Sequence, residues 1–95
     1  MKNEIFILGS ARTAIGTFGG SLSAISPIEL ATAVSIAAIH RSEIEAPKIG
    51  QVAFGHVINT EPRDMYLSRV AALRAGVSND TPAMNVNRLC GSGAQ

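Results

Sequence analysis

The sequence has few of the residues that nucleic-acid binding requires. It has no tryptophan, one tyrosine and three phenylalanines among 95 residues, so it offers little aromatic surface on which bases could stack. Eight basic and seven acidic residues leave a net charge of +1, which provides no general attraction to a phosphate backbone. We therefore expect no nucleic-acid partner.

The start of the chain also lacks a long apolar segment. The run Ile5–Leu8 has four residues, which is too short for the core of a signal peptide and far too short to span a bilayer. A single cysteine excludes an internal disulfide, and with histidines only at positions 40 and 56 it makes no recognisable zinc spacing. We expect a cytoplasmic protein with no membrane partner and no metal.

Strands and helices alternate in the predicted secondary structure. The predicted strands are Ile5–Leu8, Gln51–Ile58 and Ala83–Val86, and the predicted helices run from Pro27 to about Arg41 and from about Arg63 to Ala75. Strands that alternate with helices form right-handed βαβ units with parallel pairing. The pattern therefore predicts an α/β fold of βαβαβ order with a mainly parallel sheet.

Local signals define the ends and the faces of these helices. Ser26, Pro27 and Glu29 have the spacing of a capping box with proline in the first turn, and Gly76 is placed to cap the second helix. Residues 10–26 lack any sustained period, so we expect a long packed loop there. The residues expected to share an apolar face are Leu30, Val34, Ala37 and Ala38 on the first helix and Tyr66, Val70 and Leu73 on the second.

Cys90 is the strongest candidate for a chemical function. It follows the third predicted strand and precedes Gly91 and Gly93, so we expect it where a strand ends and a helix begins. Unpaired N–H groups at a helix start favour an anion, and a cysteine there ionises more easily. The two glycines would let a substrate carbonyl approach the backbone closely. The alternative is an inert core cysteine, which is a common role for this residue.

Other polar residues have competing structural interpretations. His56 is expected to be a structural histidine and not the base for the thiol, and His40 a partner for a helix C-terminus. Arg88 would favour the thiolate if it pointed the same way as Cys90, but a surface or interface ion pair is the preferred interpretation. We expect a solvated or interface charge cluster formed by Arg63, Asp64 and Arg69. The neighbouring residues Met65, Tyr66 and Leu67 are expected to be either core or a subunit contact.

Several segments together resemble the thiolase family, and within it the β-ketothiolases and acetyl-CoA acetyltransferases. The matching segments are Arg12–Gly20, Phe54–Val57, Asn87–Gly93 and, as a variant found in β-ketothiolases of broader chain-length tolerance, Glu61–Leu67. The resemblance extends from Glu4 to Gln95. It implies that residues 1–95 are an incomplete N-terminal domain, with the C-terminal half of the family absent, in an α/β/α/β/α layered fold.

The same resemblance implies an activity in fatty acid metabolism. Cys90 matches the family's nucleophile, which carries the acyl group while 3-ketoacyl-CoA is formed or cleaved, and its backbone N–H matches an oxyanion donor. Gly91 and Gly93 would line the approach of the substrate. Acyl-CoA and acetyl-CoA are substrates, so no bound cofactor is expected, and the complete enzyme would be a homodimer or homotetramer. The family's activating histidine and second cysteine lie beyond these residues, so the chain alone should be inactive.

Three other hypotheses remain open from the sequence. Gly91 and Gly93 could begin a dinucleotide-binding GxGxxG, which only the residues after Gln95 would complete. A β-ketoacyl carrier-protein synthase shares the fold and the nucleophile, although its cysteine typically has different neighbours. A noncatalytic packing fragment would leave Cys90 inert.

Overall fold

A computed structural model describes residues 2–95, which form two helices and a two-stranded sheet. Helix α1 spans Pro27–Ser42, strand β1 Val52–Gly55, helix α2 Leu67–Arg74 and strand β2 Ala83–Val86. Short 3-10 turns lie at Ala46–Lys48, Pro62–Tyr66 and Ser92–Ala94. Within residues 2–95, no helix is long and apolar enough to cross a membrane.

Helix α1 begins where the capping signals predicted. The Ser26 hydroxyl accepts a hydrogen bond from the Glu29 N–H at 3.2 Å, and the Glu29 carboxylate accepts one from the Ser26 N–H at 3.0 Å. Both donors lie at the helix start, where the backbone has no internal acceptors. His40 lies in the last turn, as predicted, and the helix ends one residue beyond the predicted Arg41.

The hydrophobic core lies between the two helices and the sheet. Its members are Ile28, Ala31, Leu67 and Ala71, with Phe54 and Val70 packed against them. Burial of this apolar surface is the main force that fixes the helices on the strands. Strands β1 and β2 both contact α2. The core therefore also holds the end of β2 in place relative to α2.

The buried faces of the helices differ from the predicted ones. Tyr66, just before α2, and Leu73 within it are exposed, whereas Ala71 and Ala72 are buried and the predicted Val70 packs against the core. On α1 the fully buried residue is Ile28, which lies outside the predicted stripe. Small side chains at a helix contact allow the two backbones to approach closely. The alanines of α2 therefore face the core together with Leu67 and Val70, whereas Leu73 does not.

The two strands pair in parallel and confirm one predicted βαβ unit. Val52 is opposite Ala83 and Gly55 is opposite Val86, and the His56 N–H donates to the Val86 carbonyl at 2.9 Å. Strand β2 has the predicted bounds, while β1 is shorter than the predicted Gln51–Ile58. The parallel ladder places the carboxyl ends of both strands at one edge of the sheet.

The predicted first strand, Ile5–Leu8, is not formed. Ile5 and Ile7 are each 90% exposed, and the sheet of the described residues contains only β1 and β2. A strand buried on both faces needs hydrogen-bonded neighbours and a layer on each side. Residues 2–95 supply neither. Gly9 instead lies against the last turn of α1, where a Cβ would be 2.7 Å from the Ala38 carbonyl oxygen.

Residues 10–26 form the predicted long loop, but the loop is not packed. It contains turns and no regular element, and Ile15 and Phe18 are exposed at its surface. The absence of any apolar period explains why it forms no helix or strand.

Candidate active site

Cys90 lies in the turn that follows β2. The strand ends at Val86, and Cys90 stands between Leu89, whose φ is 49°, and Gly91, which precedes the 3-10 turn Ser92–Ala94. Its side chain is exposed. The strand end was predicted, whereas the helix expected directly after the cysteine is a three-residue 3-10 turn in the described residues. An exposed thiol at this position is accessible to a substrate.

The turn around Cys90 is held by side-chain hydrogen bonds. The Ser92 hydroxyl accepts from the Arg88 N–H at 2.7 Å and donates to the Leu89 carbonyl at 2.7 Å. The Asn87 side-chain carbonyl accepts from the Leu89 N–H at 3.1 Å. Together these bonds fix the backbone on both sides of the left-handed Leu89, immediately before the cysteine.

Arg88 does not form the predicted ion pair on the surface of the described residues, and the interface ion pair stays a prediction. Arg88 makes no ion pair with any residue between 2 and 95, and its guanidinium instead donates to the Gly91 carbonyl at 3.1 Å. A Cβ on Gly91 would lie 2.5 Å from that guanidinium, so the missing side chain at 91 makes room for Arg88. Gly93 has open space around it, which agrees with the predicted clearance for a substrate.

Gly55 brings strand β1 against this turn, a contact that the sequence reasoning missed. A Cβ at Gly55 would lie 2.8 Å from the Gly93 nitrogen and 2.8 Å from the Ser92 carbonyl carbon. Both are backbone atoms, which cannot move as easily as a side-chain end. The signal was present in the sequence, because a glycine inside a strand often marks a close backbone approach. Ser92 was missed because the segment was interpreted only through the space that Gly91 and Gly93 leave for a substrate.

Neither histidine is bonded to the thiol. The His56 Nε2 lies 2.9 Å from the Asn59 side-chain oxygen, which satisfies the ring as the structural interpretation predicted. His40 lies in the last turn of α1. Among residues 2–95, no three His, Cys, Asp or Glu side chains are grouped to hold a metal ion.

The predicted charge cluster around Asp64 does not exist. Asp64 is fully buried and accepts from the Thr60 N–H and hydroxyl, each at 2.7 Å, and from the Glu61 N–H at 3.2 Å. Arg63 pairs with Glu61, and Arg69 donates to loop carbonyls after α2. Asp64 was predicted to belong to a solvated or interface cluster, but it is buried because its carboxylate caps the 3-10 turn before α2.

Two further residues show how this region is fixed. Leu67 is core, as one of the alternatives predicted, whereas Met65 and Tyr66 are exposed, and a subunit contact for these two stays a prediction. The Asn85 side chain, from β2, accepts from the Ser68 N–H at 3.0 Å and donates to the Asp64 carbonyl. Strand β2 therefore holds the start of α2 directly.

The chain is similar to thiolases over nearly all of its length. The family model described as "Thiolase, N-terminal domain" matches residues 5–95. A beta-ketothiolase of Cupriavidus necator is 53% identical over 95 residues, which are 100% of this chain and 24% of that protein. The mitochondrial 3-ketoacyl-CoA thiolase of Bos taurus is 35% identical over 91 residues, 96% of this chain and 23% of that protein.

Solved structures give the same result for the fold. A crystal structure of human mitochondrial 3-ketoacyl-CoA thiolase in complex with CoA superposes with a TM-score of 0.92 at 33% identity, over 95% of this chain and 23% of that one. The Bacillus anthracis acetyl-CoA acetyltransferase superposes with a TM-score of 0.85 at 36% identity, over 94% and 22%. These superpositions confirm the α/β class. The chain spans about a quarter of the length of the curated relatives.

Proposed function

Because the chain belongs to the thiolase family, we propose that it supplies the nucleophilic cysteine of an enzyme that forms or cleaves 3-ketoacyl-CoA. The observation that supports this most directly is the exposed Cys90 on a turn fixed by hydrogen bonds, at the carboxyl end of a parallel strand. Ligands of open parallel sheets bind at that edge. The dinucleotide and packing hypotheses make no use of an exposed, fixed thiol.

The first step of the proposed reaction is acyl transfer to sulfur. The Cys90 thiolate attacks the carbonyl carbon of an acyl-CoA, and the C=O electrons move to oxygen. When the carbonyl re-forms, the bond to the coenzyme A sulfur breaks, and the departing thiolate takes a proton. Dividing the reaction through a covalent intermediate replaces one difficult step with two easier ones.

The second step transfers the acyl group from Cys90 to carbon. Acetyl-CoA loses a methyl proton to a base, and its carbanion attacks the acyl carbon on Cys90, which releases the thiolate and gives 3-ketoacyl-CoA. Thiolysis is the reverse. The family's activating histidine and second cysteine, which would move these protons, match nothing in residues 1–95. We propose that the rest of the enzyme supplies them.

The backbone N–H of Cys90 is suited to the proposed oxyanion role. It lies in the turn that the Ser92 hydroxyl holds, next to the sulfur that would carry the acyl group. Preorganised donors of this kind contribute most when charge develops on the carbonyl oxygen. The open space at Gly93 would admit the acyl group beside it.

We also propose the role of coenzyme A, the oligomeric state and the location of the complete enzyme. Coenzyme A thioesters would be substrates and not resident cofactors, and the complete enzyme would assemble as a homodimer or homotetramer. A cytoplasmic location would keep the Cys90 thiol reduced. These points follow from the family resemblance, and each is open to direct measurement.

The function can be tested in a complete enzyme that contains this chain. Residues 1–95 would be joined to the remaining part of the Cupriavidus necator relative, and this complete chimera would be incubated with acetyl-CoA. We expect mass spectrometry to find one acetyl group on the peptide that contains Cys90. The unmodified relative serves as the control for activity and folding.

Substitution of Cys90 gives the matching loss of function. In the complete chimera, Cys90→Ala should lower thiolysis by on the order of 10³-fold or more, because no other group can hold the acyl intermediate. Cys90→Ser should be nearly as inactive, since a hydroxyl is far less ionised than a thiol. Turnover like that of the parent chimera in Cys90→Ala would contradict the proposed nucleophile.

A further inference from the structure

The backbone before Cys90 has a conformation that it would not keep unaided. Leu89 has a φ of 49°, in the left-handed region that disfavours residues with a Cβ. Such a conformation persists only where surrounding contacts determine it, and it is common where a functional group must be presented. The contacts that hold Leu89 in this conformation therefore also set the position of the Cys90 side chain.

Ser92 supplies the contacts from inside the turn. Its hydroxyl bridges the Arg88 N–H and the Leu89 carbonyl, each at 2.7 Å, and the Ser92 N–H also donates to the Leu89 carbonyl at 3.1 Å. Ser92 is buried, whereas Cys90 beside it is exposed. The serine therefore faces the protein with both hydrogen-bonding functions of its hydroxyl in use.

Gly55 supplies the contact from outside the turn. It is the last residue of β1, and its Cα lies so close to the Ser92–Gly93 peptide that any side chain would collide with backbone. Because Gly55 is paired with Val86 in β2, the sheet and the cysteine turn form one rigid unit at this point.

We propose that Ser92 and Gly55 are positioning residues for the acyl transfer at Cys90, an inference that rests on the proposed function. Neither touches the reacting atoms. Ser92 holds Leu89 in the left-handed conformation, and Gly55 lets the turn sit against the end of the sheet. Displacement of a reacting group by about 1 Å can lower a rate by on the order of 100-fold. A small shift of the Cys90 sulfur should therefore have a large effect on the rate of acyl transfer.

The test compares the acetylation rate of Cys90 in variants of the complete chimera. Ser92→Ala, which removes the bridging hydroxyl, should slow acetylation by about 10- to 100-fold. Ser92→Thr keeps a hydroxyl and should recover most of the rate. Gly55→Ala should slow acetylation to a similar degree. The matched controls are Ser21→Ala, at an exposed serine, and Gly50→Ala, whose Cβ would meet open space, and both should acetylate like the parent chimera.

A second measurement separates positioning from overall stability and from the proposed function. Alkylation of Cys90 by iodoacetamide needs no acyl chemistry, and in Ser92→Ala its rate should differ from that of the parent chimera, because the turn no longer holds the sulfur in one position. Acetylation and alkylation both unchanged in Ser92→Ala would overturn the positioning role. The positioning role would also be overturned if Ser92→Ala lowered the acetylation rate only as far as it lowered the melting temperature, and Ser92→Thr did not restore that rate. No acetyl group on Cys90 in the parent chimera would overturn the proposed function instead.

Discussion

At the residue scale, Asp64 shows how a buried charge can be stabilised without an ion pair. Burial alone would raise its pKa, but hydrogen bonds from the N–H and hydroxyl of Thr60 and the N–H of Glu61, together with the charge of His56, outweigh burial. They hold the pKa of Asp64 below its ordinary value of 3.8. The charged carboxylate is therefore the form that stabilises the fold.

The sign of this shift predicts how stability depends on pH. A carboxyl whose pKa is lower in the folded state contributes stability above its ordinary pKa and loses it as the pH falls through the folded value. Asp64→Asn in the complete chimera should lower the melting temperature near neutral pH. The difference from the parent should shrink as the pH falls below about 4.

Melting temperatures recorded between about pH 7 and about pH 3 would check this. Asp80→Asn is the matched control, because Asp80 is exposed and its removal should change the melting temperature little at any pH. A difference between Asp64→Asn and the parent that stayed constant through the acid range would show that the charge of Asp64 contributes nothing.

Sequence reasoning found Cys90 but not the residues that hold it, for a physical reason. A lone cysteine between a strand and two glycines is visible from residue types and spacing. The contact between Gly55 and the Ser92–Gly93 peptide depends on how β1 and β2 pair, which is a tertiary relation. Asp64 was misplaced for a similar reason, since its charge predicted solvent and only the folded loop supplied it with three donors.

At the element scale, the end of α2 gives a stability prediction. Gly76 has a φ of 88°, the Val77 N–H donates to the Ala72 carbonyl at 3.0 Å, and the Gly76 N–H donates to the Leu73 carbonyl at 3.2 Å. This is a Schellman motif, in which a left-handed residue satisfies the last carbonyls of the helix. The predicted glycine cap is confirmed.

Gly76→Ala in the complete chimera should therefore lower the free energy of unfolding by about 1 kcal/mol, because alanine is strained at this positive φ. Gly50→Ala is the control, since Gly50 has open space and no positive φ, and it should leave stability unchanged or raise it slightly. Urea unfolding of the two variants would distinguish them. Equal stability of Gly76→Ala and the parent would contradict the strain argument.

Elements with local signals were predicted well, and those that depend on distant partners were not. The start of α1 and the bounds of β2 were correct because the capping residues before α1 and Pro82 before β2 act locally. Ile5–Leu8 has the composition of a buried strand, but burial requires partners that residues 2–95 lack. The buried face of α2 was predicted only in part. Val70 packs against the core as predicted, but Ala71 and Ala72 are buried in place of Tyr66 and Leu73, because small side chains let α2 pack closely on α1.

At the scale of the whole molecule, many large apolar side chains are exposed. They include Ile5, Phe6, Ile7, Ile15, Phe18 and Ile58. The chain covers about a quarter of the length of its relatives, and we propose that the rest of the enzyme covers these side chains. Residues 2–95 bury only six apolar side chains, those of Ile28, Ala31, Leu67, Ala71, Ala72 and Val77, which is a small source of stability for 95 residues.

Residues 1–95 alone should consequently fold poorly and lack thiolase activity. We expect no sharp cooperative melt by circular dichroism and strong binding of a hydrophobic dye, because the exposed apolar surface has no partner. The complete chimera is the control and should melt cooperatively. Measurable acetoacetyl-CoA cleavage by residues 1–95 would contradict the proposal that the remaining catalytic groups lie elsewhere, and a sharp melt would contradict the folding prediction.

The close approach of Gly55 to the Ser92–Gly93 peptide also bears on biosynthesis. These residues are far apart along the chain, and they meet only after β1, α2 and β2 have assembled. On a nascent polypeptide, Leu89 has nothing to hold it in the left-handed conformation, and Cys90 is then an ordinary cysteine. We expect the nucleophile to become competent late in maturation, so that newly made chains are protected from acylation by the thioesters around them until the sheet has closed.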